Sequence, residues 1–250
     1  MKQFKTVFIL TLILALITGS CKEPLINDCY TESGPSVTEI RPVGDFSEII
    51  INGGFSVHLQ QSDSSYVLVK SYQNFIDGVI TRVDSSILII EDDIRCRWIR
   101  SFNQENSVWI FVKDLKYIDF RGTGTVRSID TLKGNESLVL EIHDGSGNLD
   151  LTIDYSSVYL YQHIAYGNVT ISGICNTLQL SAQSLGIVDC RNLKSYKTIV
   201  NHSGSNSVFI YPEFLLEARV NARGNVYYKG NPLVKMYITG SGRLIPLDQD

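Results

Sequence analysis

The chain has 250 residues, with 22 Lys and Arg against 26 Asp and Glu, for a formal net charge of −4. No basic run or patch interrupts that balance, which excludes the electrostatic footprint of a nucleic-acid binder. With 44% hydrophobic residues it can bury a real core, as one large domain or two small ones.

Lys2 and Lys5 precede an apolar run, VFILTLILALI, from Val7 to Ile17. At about 1.5 Å per residue this run is too short to span a bilayer, and it has the length of a signal-peptide core. The stretch ITGSC that ends at Cys21 resembles the lipobox of bacterial lipoproteins, although Thr18 stands where a leucine-like residue is usual. The resemblance implies a signal peptide over residues 1–20 and lipidation of Cys21, which would tie the chain to a membrane; several acyl chains on one residue anchor stably where a single one does not. Lys22-Glu23 resembles the signal that sends lipoproteins to the outer face of the outer membrane, so the cell surface is expected ahead of the periplasmic face. Residues 21–43, with Pro24, Pro35 and Pro42 and little periodicity, read as a flexible tether.

From Gly44 to the end, residues 44–250, the pattern is that of strands. FSEIIINGGFSVHL, Phe46 to Leu59, is two β-runs around Asn52-Gly53-Gly54, and Tyr66–Lys70, Ile87–Ile90 and Val108–Val112 are further runs. No stretch sustains a 3.6-residue period, so helix is excluded as a major component.

The second half repeats. Glycine-rich turns (RGTGTV, DGSGNL, IAYGNV, SLGIVD, SGSNSV, ARGNVY, TGSGRL) end on Gly124, Gly147, Gly167, Gly186, Asn206, Gly224 and Gly242, at spacings of 23, 20, 19, 20, 18 and 18. Two residues after each anchor stands an apolar side chain: Val126, Leu149, Val169, Val188, Val208, Val226 and Leu244. A fixed period near twenty residues, with one face of each run apolar, marks a solenoid whose coils bury their apolar faces on one another. The expectation is an all-β parallel β-helix with coils of about 20 residues, preferred over an antiparallel sandwich because a sandwich does not require one inward position to recur at a fixed period. The anchors are expected at positive φ, where Gly and then Asn are best tolerated.

GDFSEIIINGGFSVHLQQSDS at Gly44 to Ser64, the repeated GSG turns and the ending VYYKGNP…ITGSGRLIPL resemble the head GIN domain family, which carries an auto-transporter adhesin label. The resemblance covers about Gly44 to Leu247. It implies a right-handed, single-stranded β-helix in a lipoprotein or secreted protein, and it carries no catalytic or binding residues over to this chain. The full GSG is lost at Leu185-Gly186 and at Asn206.

Candidate surface-binding residues come from the outward positions. His143, His163 and His202 each precede their anchor by four residues, so His143 and His163 should stack about 5 Å apart in adjacent coils and point outward. Two stacked imidazoles can share a transition metal, but the row reads as a solvated polar row beside a corner, and no metal or cofactor is assigned. Tyr159 and Tyr161, with Phe209, Tyr211 and Tyr227, are outward aromatics suited to sugar rings or a protein interface, or to a packing ladder on the sheet. Glu141, Asp144, Asp150 and Asp154 read as solvated carboxylates, and GxSxG, HExxH and P-loop motifs are absent from the sequence. Cys190 falls on the inward stack as a buried thiol. Cys175 is too far around the coil to reach it, and Cys29 with Cys96 is the better disulfide pair. The leading expectation is a non-enzymatic envelope lipoprotein that binds a glycan or an envelope protein. The alternatives are a periplasm-facing assembly module without external ligand and, last, a polysaccharide-active enzyme. Self-association through the ends of the β-helix is expected if they are not capped.

Overall fold

The computed structural model describes residues 32–94 and 106–247. Cys21, Cys29, Cys96 and the expected signal peptide over residues 1–20 lie outside the described residues. Among the described residues sixteen strands form one continuous sheet. In the N-terminal part these are β1 (Ser36–Pro42), β2 (Glu48–Asn52), β3 (Ser56–Gln61), β4 (Tyr66–Tyr72), β5 (Val79–Asp84), β6 (Ile87–Asp92), β7 (Ser107–Val112) and β8 (Tyr117–Phe120). The repeats supply β9 (Thr125–Ile142), β10 (Asn148–Gln162), β11 (Val169–Ala182), β12 (Val188–His202) and β13 (Val208–Val220), followed by the short β14 (Val226–Tyr228), β15 (Leu233–Ile238) and β16 (Leu244–Pro246). There is no α-helix among the described residues, only a 3-10 turn at Ile76–Gly78.

The long strands stack in parallel as a β-solenoid of about six turns, spaced about twenty residues apart. The valine column runs the length of the molecule. Leu149 lies between Val126 and Val169, and the pairing continues through Val188, Val208 and Val226 to Leu244. Val57 and Val108 extend it at the other end. Each repeat is one bent strand rather than separate short ones: in β10 the inward residues are Leu149, Leu151, Ile153 and Tyr155, and then the parity changes at Ser156–Ser157 so that Val158, Leu160 and Gln162 point in.

The glycines owe their place to close approach between coils. Gly124, Gly147, Gly167, Gly186, Gly224 and Gly242 do not have positive φ, which corrects the expectation from conformational freedom. A Cβ on Gly167 would sit 1.7 Å from the carbonyl oxygen of Gly147, one on Gly186 would sit 1.9 Å from that of Gly167, and one on Gly242 would sit 2.0 Å from that of Gly224. The first residue of each GSG turn makes a second such column. A Cβ on Gly145 would lie 2.2 Å from Gly122 O, and one on Gly240 would lie 2.1 Å from Ala222 O. Ala165, Ser184 and Ala222 hold this first position in other coils, so the smallest side chains suffice there. The middle residue faces outward and varies. The corners at Gly186 and Asn206, where the full motif is lost, are retained. The asparagines of the GN pairs knit neighbouring coils: Asn148 Oδ1 accepts from the Asn168 N–H and Asn168 Oδ1 from the Ile187 N–H, each at 2.9 Å.

The N-terminal part departs from simple stacking. β2–β3 is sandwiched in space, since β2 pairs β6 on one side and β8 on the other, and β3 pairs β7 and β9. β4 then runs antiparallel on β7, β1 antiparallel on β4, and β5 antiparallel on β6. β1 corrects the tether: Ser36–Pro42, read as part of a flexible segment through Val43, is a strand of the sheet, and Arg41 bonds the Ile76 carbonyl at 3.0 Å. At the opposite end β15 pairs only β13, and all six of its residues are exposed.

Gly167→Ala should cost about 1–3 kcal/mol or more, because its methyl meets a backbone carbonyl that cannot move aside without shifting a coil. Gly44→Ala, with nothing within 4 Å of the added methyl, should stay within about 0.5 kcal/mol of wild type. Urea unfolding of the two variants checks this; equal costs would refute the steric account.

Candidate functional site

Two outward regions gather chemistry-bearing side chains. The first is on the face that ends at the glycine corner. Here Asp119 of β8 pairs with Glu141 of β9, which pairs with Tyr161 of β10. The next residue outward along the chain forms a second row: Arg121, His143 and His163, each fixed by a backbone bond to the coil before it. The His143 and His163 rings stack nearly parallel, with centroids 4.4 Å apart. Glu141 lies two residues before His143, which directly follows β9, and so shares its face. Its Oε2 is 3.0 Å from His143 Nε2 and 3.9 Å from His163 Nε2. Asp119, almost wholly buried, is held by Arg121 in a two-point bridge at 2.7 and 3.0 Å and lies 3.7 Å from His143 Nε2. Tyr117, which pairs with Val139 of β9, lies two residues before Asp119; burial, reinforced by the Asp119 and Glu141 carboxylates, pushes its phenol up to about 12. Glu141, His143 and His163 are the three donors that could close on one metal ion. The sequence pattern points to the two histidines and leaves Glu141 as a solvated acid. The alternation of a strand, which puts residues 141 and 143 on one face, was the signal that would have joined them.

His202 does not belong to this row. It is fully buried and pairs with Ala182, which in turn pairs with Gln162. Anchor counting misplaced it because the corner shortens: Gly167 lies five residues after Gln162, but Gly186 lies only four after Ala182. The residues that continue the histidine row are therefore Gln183 and Ser203. Inside the coil His202 joins a buried polar cluster at the turn. Its Nε2 is 3.0 Å from Asn206 O and its Nδ1 is 3.3 Å from Ala182 O, while Gln162 Nε2 donates to Gly167 O at 3.0 Å and Asn206 donates to Gly186 O. Burial lowers the imidazole below its ordinary value, against the pull of the two carbonyls.

The second region is the bend on another side of the coil. An open groove of about 530 Å³ follows it, lined by Asn135, Asp154, Asn176, Lys194, Tyr196 and Glu213 among others. Its floor includes Tyr155, whose hydroxyl donates to Leu115 O at 2.8 Å and whose ring fills the place that a side chain at residue 134 would need. Cys175 also lines it; burial pushes this thiol up to about 12, which leaves it inert as a nucleophile. Tyr196 and Phe214, exposed by 55% and 48%, stack face to face at 4.8 Å beside the groove. They meet because β13 carries one extra residue opposite the Ser195–Lys197 step. Tyr159 and Tyr161 are half-buried outside this groove, beside Val139 and Glu141 respectively. Phe209 and Tyr227 stack at 4.9 Å, with Arg191 4.0 Å over Phe209 and bridged to Asp189 at 2.8 Å. Cys175 and Cys190 are both free and buried, and burial raises the Cys190 thiol as well.

Comparison with known proteins agrees with this architecture. The family profile described as "putative auto-transporter adhesin, head GIN domain" matches residues 45–232. A solved structure from Bacteroides fragilis, described as a putative adhesin, aligns over 85% of this chain and 97% of its own with a TM-score of 0.79 at 20% identity. Two from Parabacteroides distasonis, described as a putative lipid binding protein and a putative adhesin, align with TM-scores of 0.68 and 0.66 at 20% and 21% identity, each over 86% of this chain and 98% of its own. No curated protein matches the sequence.

The buried His202 generates a pH dependence. Its folded-state value lies below the unfolded 6.5, so the unfolded chain binds the extra proton. The fold's preference for the neutral ring is fully expressed above the unfolded value and is lost as pH falls below it, at no more than about 1.4 kcal/mol per pH unit. His202→Gln places at this position the residue that Gln162 already supplies in the same column. Its stability deficit relative to wild type should narrow between pH 8 and pH 5.5 in urea titrations; a constant deficit would refute the assignment.

Proposed function

The chain belongs to the head GIN domain family, and from that premise we propose that it is a cell-envelope, adhesin-like binding module anchored through lipidated Cys21, which presents its β-solenoid at the cell surface to a glycan. The observation that carries the ligand class is the bend groove. A parallel aromatic pair, Tyr196 and Phe214, stands exposed beside the carboxylates of Asp154 and Glu213 and the amides of Asn135 and Asn176. Aromatic faces take the apolar face of a sugar ring, and carboxylates and amides take its hydroxyls. The groove is shallow and open, which suits recognition of an extended chain better than enclosure of a small molecule.

This reading shifts the ligand contacts from Tyr159, Tyr161 and the histidine row to the bend. Family members and the aligned structures are described as adhesins or binding proteins, which favours binding over catalysis.

Two measurements test the proposal. An impermeant protease applied to intact cells should cleave this chain while a periplasmic control stays whole; protection until lysis would leave a periplasm-facing module instead. On a glycan array the purified chain should retain a defined set of sugars, and Tyr196→Ala should weaken that retention by about tenfold, the scale of one aromatic contact of about 1.4 kcal/mol. Retention unchanged by Tyr196→Ala would move the binding site away from the bend.

A further inference from the structure

We propose that Glu141, His143 and His163 form a site for a divalent transition-metal ion on the outer face of the solenoid. The site is separate from the glycan groove and does not rest on it.

Two imidazole nitrogens and one carboxylate oxygen converge from adjacent coils, all three within 4.8 Å of one another. Zinc bonds to nitrogen and oxygen at about 2.0–2.2 Å, which requires donors roughly 3.3 Å apart. His143 and Glu141 already stand at 3.0 Å, and Glu141 and His163 at 3.9 Å. The two rings lie within 7° of parallel, so ligation requires them to tip towards each other until their in-plane lone pairs meet the ion.

Neutral imidazole with carboxylate suits zinc and its first-row neighbours rather than calcium or magnesium, which take all-oxygen sites. The surroundings are those that support ligands. Asp119, pinned by Arg121, stands 3.7 Å from His143 Nε2. Such outer partners fix ligand orientation and raise affinity. All three donors are half-buried, which leaves the remaining coordination positions open to water or to an oxygen donor of a bound partner. Among the described residues, His202 is buried among carbonyls, and Cys175 and Cys190 are buried thiols.

The test is calorimetric titration of the purified full chain with zinc chloride, with melting temperature followed in zinc and in EDTA. The site predicts about one equivalent of zinc and a rise in melting temperature. Glu141→Gln and His163→Gln should each lower the affinity by about tenfold or more. Glutamine already occupies the next place in the histidine row at Gln183, and melting of the variants in EDTA at the wild-type temperature would verify their folding. Absence of heat and of any melting shift in the wild type would overturn the proposal, as would undiminished binding in both folded variants. Cobalt substitution that gives thiolate charge-transfer absorption would also overturn it, since that would assign the ion to a cysteine.

Discussion

The contact between a turn and the carbonyl beneath it governs this molecule. Each coil turns its sharpest corner with the backbone pressed on the previous coil, so closely that at most positions hydrogen is the only substituent the Cα can carry there. That contact sets the rise of one coil on the next and thereby the register of every column. The valines stack because the glycines do, and the outward residues that bracket the corner inherit the same alignment. Stability follows from the sum: no coil buries its own apolar face, and each neighbour supplies what the other lacks.

The two outward surfaces depend on where this regularity holds and where it fails. The histidine row exists because two coils share the five-residue corner, which sets two imidazoles directly above each other with a glutamate on the same side. The groove exists because the opposite bend is irregular. Gly134 leaves room, Tyr155 fills part of it, and the added residue in β13 swings Phe214 beneath Tyr196. Constancy at one corner and variation at another let a single architecture carry two different surfaces.

The period, the valine column and the outward facing of His143 and His163 were legible in the sequence, because strand alternation and a fixed repeat are local properties of the chain. Four things were not. The place of His202 depended on a corner one residue shorter, which counting back from the anchors absorbs without trace. Tyr196 and Phe214 are eighteen residues apart and meet only through a register shift, which pattern alone does not reveal. The interleaving of β2–β3 between β6–β7 and β8–β9 breaks the assumption that successive coils are spatial neighbours, and β1 looked like linker because Pro35 and Pro42 bracket it. The glycine positions themselves were found for an incomplete reason: their sequence signature is the same whether positive φ or lack of room demands them, and only the distance to the next coil distinguishes the two.

The two ends of the solenoid are unlike. At the N-terminal end β1, β4 and β5 run against the grain of the coils, so the sheet finishes on strands that cannot template another parallel turn, and the outermost carries Glu39, Arg41 and Pro42. At the C-terminal end of the described residues β15 pairs on one side only, with inward-parity Val234, Met236 and Ile238 exposed. The molecule is therefore a vector. Local opening is expected first at the exposed β15 edge. Lengthening by duplication of a whole coil is possible only at or before the open terminus, where a new turn finds a ready template, while the capped terminus fixes the end from which the array is counted.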